Sequence, residues 1–122
     1  MARCDEGYLC QVCREEVEEI FESSLYLMLV LGWIDPETLH TTPECHLRCN
    51  SALSQFIDDS RFQPPVEHLG PGGRSELDPS FFAQRSALVT AGYQRLWEIF
   101  NLEDRPDLLD YPLAEVRARW GR

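Results

Sequence analysis

Metal-ligating side chains stand in two groups that lie far apart in this sequence. Cys10 and Cys13 form a Cys-x2-Cys pair, and His46 and Cys49 follow after a spacer of 32 residues. Thiolates and imidazoles are the ligands that Zn²⁺ prefers, and two ligand pairs joined by a spacer are typical of structural zinc sites. We therefore predict a structural Zn²⁺ site formed by Cys10, Cys13, His46 and Cys49.

The sequence does not decide which residue is the fourth ligand. His46 and Cys49 are three residues apart, and Cys45 and Cys49 are four apart, so either pair lies on one face of a helix. We prefer His46 because a His-x2-Cys second pair recurs in zinc modules, with Cys45 as the alternative fourth ligand and His40 as a weaker one. Four cysteine ligands would also allow an iron–sulfur cluster. Without a metal, these residues would be buried free cysteines.

The ligand set also indicates what the site does. Four protein ligands leave no position for water, which is typical of a structural site. No His-Glu-x2-His pattern is present, so we predict no catalytic residues and regard a metalloenzyme as disfavoured. An alternative is a thiol switch that releases zinc on oxidation, with Cys4 as a resolving thiol. A redox dithiol at Cys10-x2-Cys13 lacks the βαβ context that such motifs usually have.

Composition and charge exclude several classes. The chain has 122 residues, is 43% hydrophobic and carries a formal net charge of −10, of which residues 1–60 hold −9. This acidity disfavours binding to nucleic acid through bulk electrostatics. The acidic half is either a solvated face or a docking surface for a basic partner.

The N-terminal sequence and the apolar runs indicate the cellular compartment in which we expect the protein. No apolar stretch follows Arg3 as it would in a signal peptide. The longest apolar run, Leu25 to Ile34, is about half the ~20 residues that a membrane helix needs. We expect a cytoplasmic protein that does not span a membrane, in which close cysteine pairs remain reduced.

The pattern of apolar residues indicates a mostly α fold, with a tight turn or small hairpin at the first cysteine pair. Apolar residues at three- and four-residue steps predict a first helix from about Arg14 to Leu31, ended by Gly32. Asp-Pro and Thr-Pro starts predict a short helix after Asp35, a stretch over 43–58 and a helix from Pro79 to Phe100. A last helix begins at Pro112, with Leu113, Val116 and Trp120 on one face.

These elements form one domain. We divide it into an acidic zinc-binding helical half at 1–60, a Pro/Gly-rich loop at 61–78 and C-terminal helices at 79–122, with the zinc site joining the N-terminal turn to a central helix. The predicted function is a zinc-stabilised module for protein interaction or regulation. Its partner is another protein or a second copy, which docks on the apolar Leu25–Trp33 segment and the acidic helix face.

Overall fold

The structure, a computed structural model, describes residues 9–119. Cys4, Trp120 and the side chain of His40 lie outside the described residues, and so do the expectations attached to them. The described chain is mostly helical and has isolated β-bridges but no β-strand. Its α-helices are α1 Ser24–Val30, α2 Ser51–Ser54, α3 Pro79–Phe100 and α4 Ala114–Arg119, and its 3-10 helices are Ile20–Glu22, Pro36–Thr41, Leu47–Cys49, Arg74–Glu76 and Leu108–Asp110. Within 9–119, no helix is both long and apolar enough to cross a membrane.

Helix α3 is the longest element and forms one wall of the core. The Asp78 carboxylate accepts the N–H groups of Ser80 and Phe81, and Pro79 occupies the first turn. This is the start that the sequence predicts, because a capping acid followed by proline satisfies and shapes a helix N-terminus. The predicted end at Phe100 is confirmed as well.

Helix α1 is buried against α3. Every residue of α1 except Met28 is buried, and Gly92 of α3 makes the close approach possible. A Cβ at Gly92 would lie 2.8 Å from Leu31 Cδ2 and 3.0 Å from Leu27 Cδ1. The apolar Leu25–Trp33 segment is therefore packed within the chain and is not a free docking face, although Trp33 at its end is 40% exposed.

The predicted start of the first helix is wrong. Its α-helical part begins at Ser24, because the backbone of residues 14–23 is used elsewhere. Leu9 pairs with Glu16 and Ser23 pairs with His46 in isolated antiparallel bridges, and Ser24 donates its N–H to the carbonyl of Cys45. Backbone groups committed to such partners cannot also form the i to i−4 bonds of a helix.

The stretch expected to open at Pro43 also begins later and is broken. His46 has extended backbone angles and precedes the 3-10 turn Leu47–Cys49, which is followed by the single turn of α2. His46 therefore precedes a tight turn and Cys49 ends it, so this second pair does not lie on one face of a regular helix.

The Pro/Gly-rich residues 61–78 contain only the 3-10 helix Arg74–Glu76 as regular structure. His68 lies within this loop and holds it in place. Its ring contacts Ser51 Oγ at 2.7 Å through Nδ1 and the Pro71 carbonyl at 3.0 Å through Nε2. The side-chain amide of Gln55, which ends α2, donates to the carbonyl of Gly72 in the loop. The loop thus packs against α2.

The contact between Gly32, just after α1, and Val116 of α4 gives a test of the fold. Gly32 has a φ of +77° and a Cβ there would lie 2.6 Å from Val116 Cγ1, whereas Gly72 has a similar φ of +84° in open space. We expect Gly32→Ala to lower the free energy of unfolding by about 2–3 kcal/mol, through backbone strain plus the clash, and Gly72→Ala by only about 1 kcal/mol. Urea denaturation measures both values. Equal losses would contradict the close packing of α4 on Gly32.

Candidate metal centre

Cys10, Cys13, His46 and Cys49 meet at one place in the structure. Their ligand atoms all lie within 4.8 Å of one another, so the four residues could hold a metal ion. A tetrahedral ion with bonds of about 2.0–2.3 Å separates its ligands by about 3.3–3.8 Å. The Cys13 Sγ to His46 Nδ1 distance is already 3.3 Å. Small side-chain movements would therefore bring all four atoms to bonding distance of one ion.

The first pair sits on a tight turn that directs amide groups at sulfur. Arg14 donates its N–H to the Cys10 carbonyl at 2.8 Å and adopts a φ of +67°, which closes the turn. The N–H of Val12 points at Cys10 Sγ at 3.4 Å, and so does the N–H of His46. Amide donors to sulfur stabilise the thiolate form, which is the form that binds metals.

The orientation of the His46 ring is set by a backbone group. Its Nε2 lies 3.0 Å from the carbonyl oxygen of Glu16. Because a carbonyl only accepts hydrogen bonds, Nε2 must carry the proton, and a neutral ring then has its lone pair on Nδ1. Nδ1 is the atom that faces Cys13 Sγ. This arrangement, in which the outer nitrogen is held by an acceptor, is the usual one for a metal-binding histidine.

Cys45 lies behind the group of four rather than within it. Its Sγ is 3.9 Å from Cys10 Sγ, and its thiol donates to the carbonyl oxygen of His46 at 3.4 Å. Cys45 is buried, whereas Cys13 is exposed and Cys49 is half-buried. The structure thus groups His46, the preferred residue, with the other three and leaves the alternative Cys45 as a neighbour.

The thiols differ strongly in acidity. Burial raises the pKa of Cys10, but hydrogen bonds from the backbone of Cys13, His46 and Val12 outweigh it and help to bring this pKa down to about 5. Burial, together with the Cys10 thiol beside it, raises the pKa of Cys45 to about 12. Burial and the nearby Cys10 and Cys13 likewise raise the pKa of Cys49 to about 12. One thiolate therefore suppresses ionisation of its neighbours, and a shared cation would reverse that effect.

A buried carboxylate connects the site to helix α1. Glu44 Oε1 accepts the Ser23 hydroxyl at 2.8 Å and the Cys45 N–H at 2.9 Å, while the Glu44 carbonyl accepts the N–H of Gln11. Burial raises the pKa of Glu44, against these hydrogen bonds. Ser23 in turn caps α1 by accepting the N–H of Tyr26. Ser23 and Glu44 thus position both halves of the site relative to the core.

The sequence does not indicate two of the groups that position this site, the Glu44 carboxylate and the Glu16 carbonyl. Thr42-Pro43-Glu44 resembles a helix start, so nothing in the local pattern indicates that Glu44 is buried. The carbonyl of Glu16 carries no side-chain signature at all. The positions of the four ligand residues, in contrast, could be found because their side chains and spacing are distinctive.

Comparisons of this chain with protein-family models, with curated proteins and with solved structures find no match.

The Ser23–Glu44 link gives a second test. Ser23→Ala removes a helix cap and leaves a buried carboxyl oxygen with one partner fewer, so we expect a loss of about 2–4 kcal/mol in the free energy of unfolding. Ser54 is an equally buried serine whose hydroxyl donates only to the Asn50 carbonyl. Ser54→Ala should cost about 1 kcal/mol. Chemical denaturation compares the two variants, and a Ser23→Ala loss no larger than the control's would refute the link.

Proposed function

We propose that this protein binds one Zn²⁺ through Cys10, Cys13, His46 and Cys49, and that the ion is structural. The observation that supports this is the convergence of four ligand atoms within 4.8 Å, with the His46 tautomer already suited to coordination through Nδ1. Three sulfurs and one imidazole nitrogen favour Zn²⁺ over hard cations such as Mg²⁺ or Ca²⁺. A closed set of four ligands leaves no site for a reactive water.

The role that fits a closed metal site is to stabilise a surface for binding or regulating another protein. Since the leucines of the Leu25–Trp33 segment are buried and only Trp33 at its end is exposed, a partner would use a different face. The turn around the metal centre carries the exposed carboxylates of Glu15 and Glu18, which favour a basic partner. We place this role in the cytoplasm, where the thiols remain reduced and available to the metal.

Removal of single ligands tests the zinc proposal. We expect the purified protein to contain one zinc per chain, and Cys49→Ser to lose most of it and to unfold at a lower temperature. Cys45→Ser is the matched control, because Cys45 is a nearby buried thiol outside the group of four. It should retain full zinc stoichiometry. Elemental analysis and thermal unfolding measure the two effects.

The coordination sphere gives the decisive outcome of that experiment. X-ray absorption of the zinc protein should show three sulfur and one nitrogen neighbour with no bound water. Zinc-free protein with the stability of the wild type, or a Cys45→Ser variant that loses metal as Cys49→Ser does, would contradict the assignment.

A second candidate function is a peroxide-responsive switch, and the position of Cys45 favours it. A spare thiol 3.9 Å from a ligand sulfur could form a disulfide with Cys10 once the metal leaves. In the first step the exposed Cys13 thiolate attacks hydrogen peroxide, which breaks the O–O bond and yields a Cys13 sulfenic acid and hydroxide. The Cys10 thiol then displaces the sulfenic oxygen as water, forming a Cys10–Cys13 disulfide and removing two ligands from the zinc. Attack of the Cys45 thiolate on Cys10 Sγ exchanges this bond for a Cys10–Cys45 disulfide and frees the Cys13 thiolate.

Zinc release on oxidation tests this candidate. In a Cys4→Ser background, hydrogen peroxide should release the zinc and a dithiol reductant should restore binding. Mass spectrometry of the oxidised protein should find Cys45 in a disulfide. If the zinc stays bound at peroxide concentrations that fully oxidise a free thiol, the switch is excluded and the purely structural role stands.

A further inference from the structure

A second candidate site lies beside the metal centre. A cavity of about 350 Å³ opens between the 3-10 turn Leu47–Cys49 and helix α3. Its lining includes the rings of Phe21, Phe62, Tyr93 and Trp97, the charged side chains of Arg48 and Glu22, and His46 and Cys49 of the candidate metal centre. A volume of this size lies within the range of small-molecule sites, which are mostly apolar and carry a few fixed polar groups.

The aromatic walls are held by contacts with one another. Phe21 stacks on Trp97 with ring centroids 4.0 Å apart, and Phe62 meets Tyr93 edge to face at 5.6 Å. Rings that are packed in this way have little freedom to collapse into the space between them. The cavity therefore offers preformed apolar surfaces to a flat ligand.

Arg48 supplies a positive charge that no carboxylate neutralises among the described residues. Its guanidinium lies 4.4 Å from the centre of the Phe62 ring and donates to the carbonyl oxygens of Pro64 and Gln63, which are neutral acceptors. A guanidinium has five N–H donors, so donors remain after these two bonds. Arg61, on the same cavity, differs because it forms an ion pair with Asp59 at 2.9 Å.

A polar atom of the wall is also incompletely satisfied. The indole Nε1 of Trp97 is buried and makes no hydrogen bond of good geometry among the described residues, although it lies close enough to the Tyr93 hydroxyl to counter the rise that burial causes in the pKa of Tyr93. Buried donors are normally fully satisfied, so this N–H is available to a ligand in the cavity. This observation is independent of the charge of Arg48.

We propose that this cavity binds a planar aromatic carboxylate of one or two rings. The rings would lie between the aromatic walls and the carboxylate would accept charge-assisted hydrogen bonds from Arg48. An apolar cavity of about 150 Å³ is enough to hold benzene, so the larger volume here suits two fused rings. Arg48 and the aromatic rings are not among the four candidate metal ligands, but His46 and Cys49 border the cavity, so binding is measured with the metal-loaded chain.

Calorimetry with three compounds tests the proposal on the metal-loaded full chain. Naphthalene carboxylate should bind with one-to-one stoichiometry and shift the NMR signal of the Trp97 indole N–H. The neutral naphthalene carboxamide should bind about tenfold more weakly, because it loses the charge-assisted contact. Cyclohexane carboxylate, which has the charge but no flat ring, should also bind weakly.

Matched variants locate the contact. Arg48→Gln should weaken binding of naphthalene carboxylate about tenfold, to the level of the amide. Arg85→Gln is the control, since Arg85 also lies over aromatic rings, those of Trp33 and Phe81, but outside this cavity. It should leave the affinity unchanged.

A third variant guards against a trivial loss through misfolding. Glu22→Gln removes a negative charge from the cavity wall, so naphthalene carboxylate should bind about two- to fivefold more tightly. A gain in affinity cannot come from an unfolded protein. The proposal is overturned if the carboxylate does not bind, if Arg48→Gln binds it as the wild type does, or if the Trp97 signal does not move.

Discussion

Residues 9–17 bury only two side chains that pack together, Cys10 and Val17, in a small cluster separate from the main core. Apolar burial on this scale does not offset the entropy of ordering a nine-residue segment, at about 1–2 kcal/mol per residue. The segment is held instead by a few backbone bonds to 44–46 and by the convergence of the Cys/His group. Structural zinc in small peptides contributes about 10–16 kcal/mol, which is the scale that this segment requires. The proposed ion would therefore supply the free energy that the packing lacks.

The same short turn serves two neighbouring sites. The 3-10 helix Leu47–Cys49 presents Cys49 to the metal-ligand group and Arg48 to the aromatic cavity, while Leu47 is buried in the main core. Ser23 and Glu44 connect this turn to the start of α1, and α1 packs on α3. His46 and Cys49 also line the cavity, so the two sites share this wall. Their contacts with a bound group differ, because a metal would be held by sulfur and nitrogen atoms whereas the cavity offers ring faces and a guanidinium.

The parts of the fold that depend on residues close together in sequence could be predicted. The cap at Asp78, the proline after it and the apolar face of α3 are all contained within one segment, so the sequence predicts both ends of α3 correctly. The first helix that the sequence predicts is too long, because a helical period in 14–23 competes with partners distant in sequence. Those partners, the His46 ring and the Cys45 carbonyl, satisfy the backbone of Glu16 and Ser24.

The sequence by itself determined which side chains could ligate a metal, because thiol and imidazole groups and their spacing are written in the chain. It also determined the length of α3 and the irregular character of 61–78, through proline, glycine and capping residues. Only the tertiary structure places His46 rather than Cys45 with the other three residues that could hold an ion, because that placement depends on the Glu16 carbonyl that orients the ring. It alone shows that Leu25–Leu31 is covered apart from the half-buried Met28, since apolar periodicity shows that a face must be buried but not what buries it.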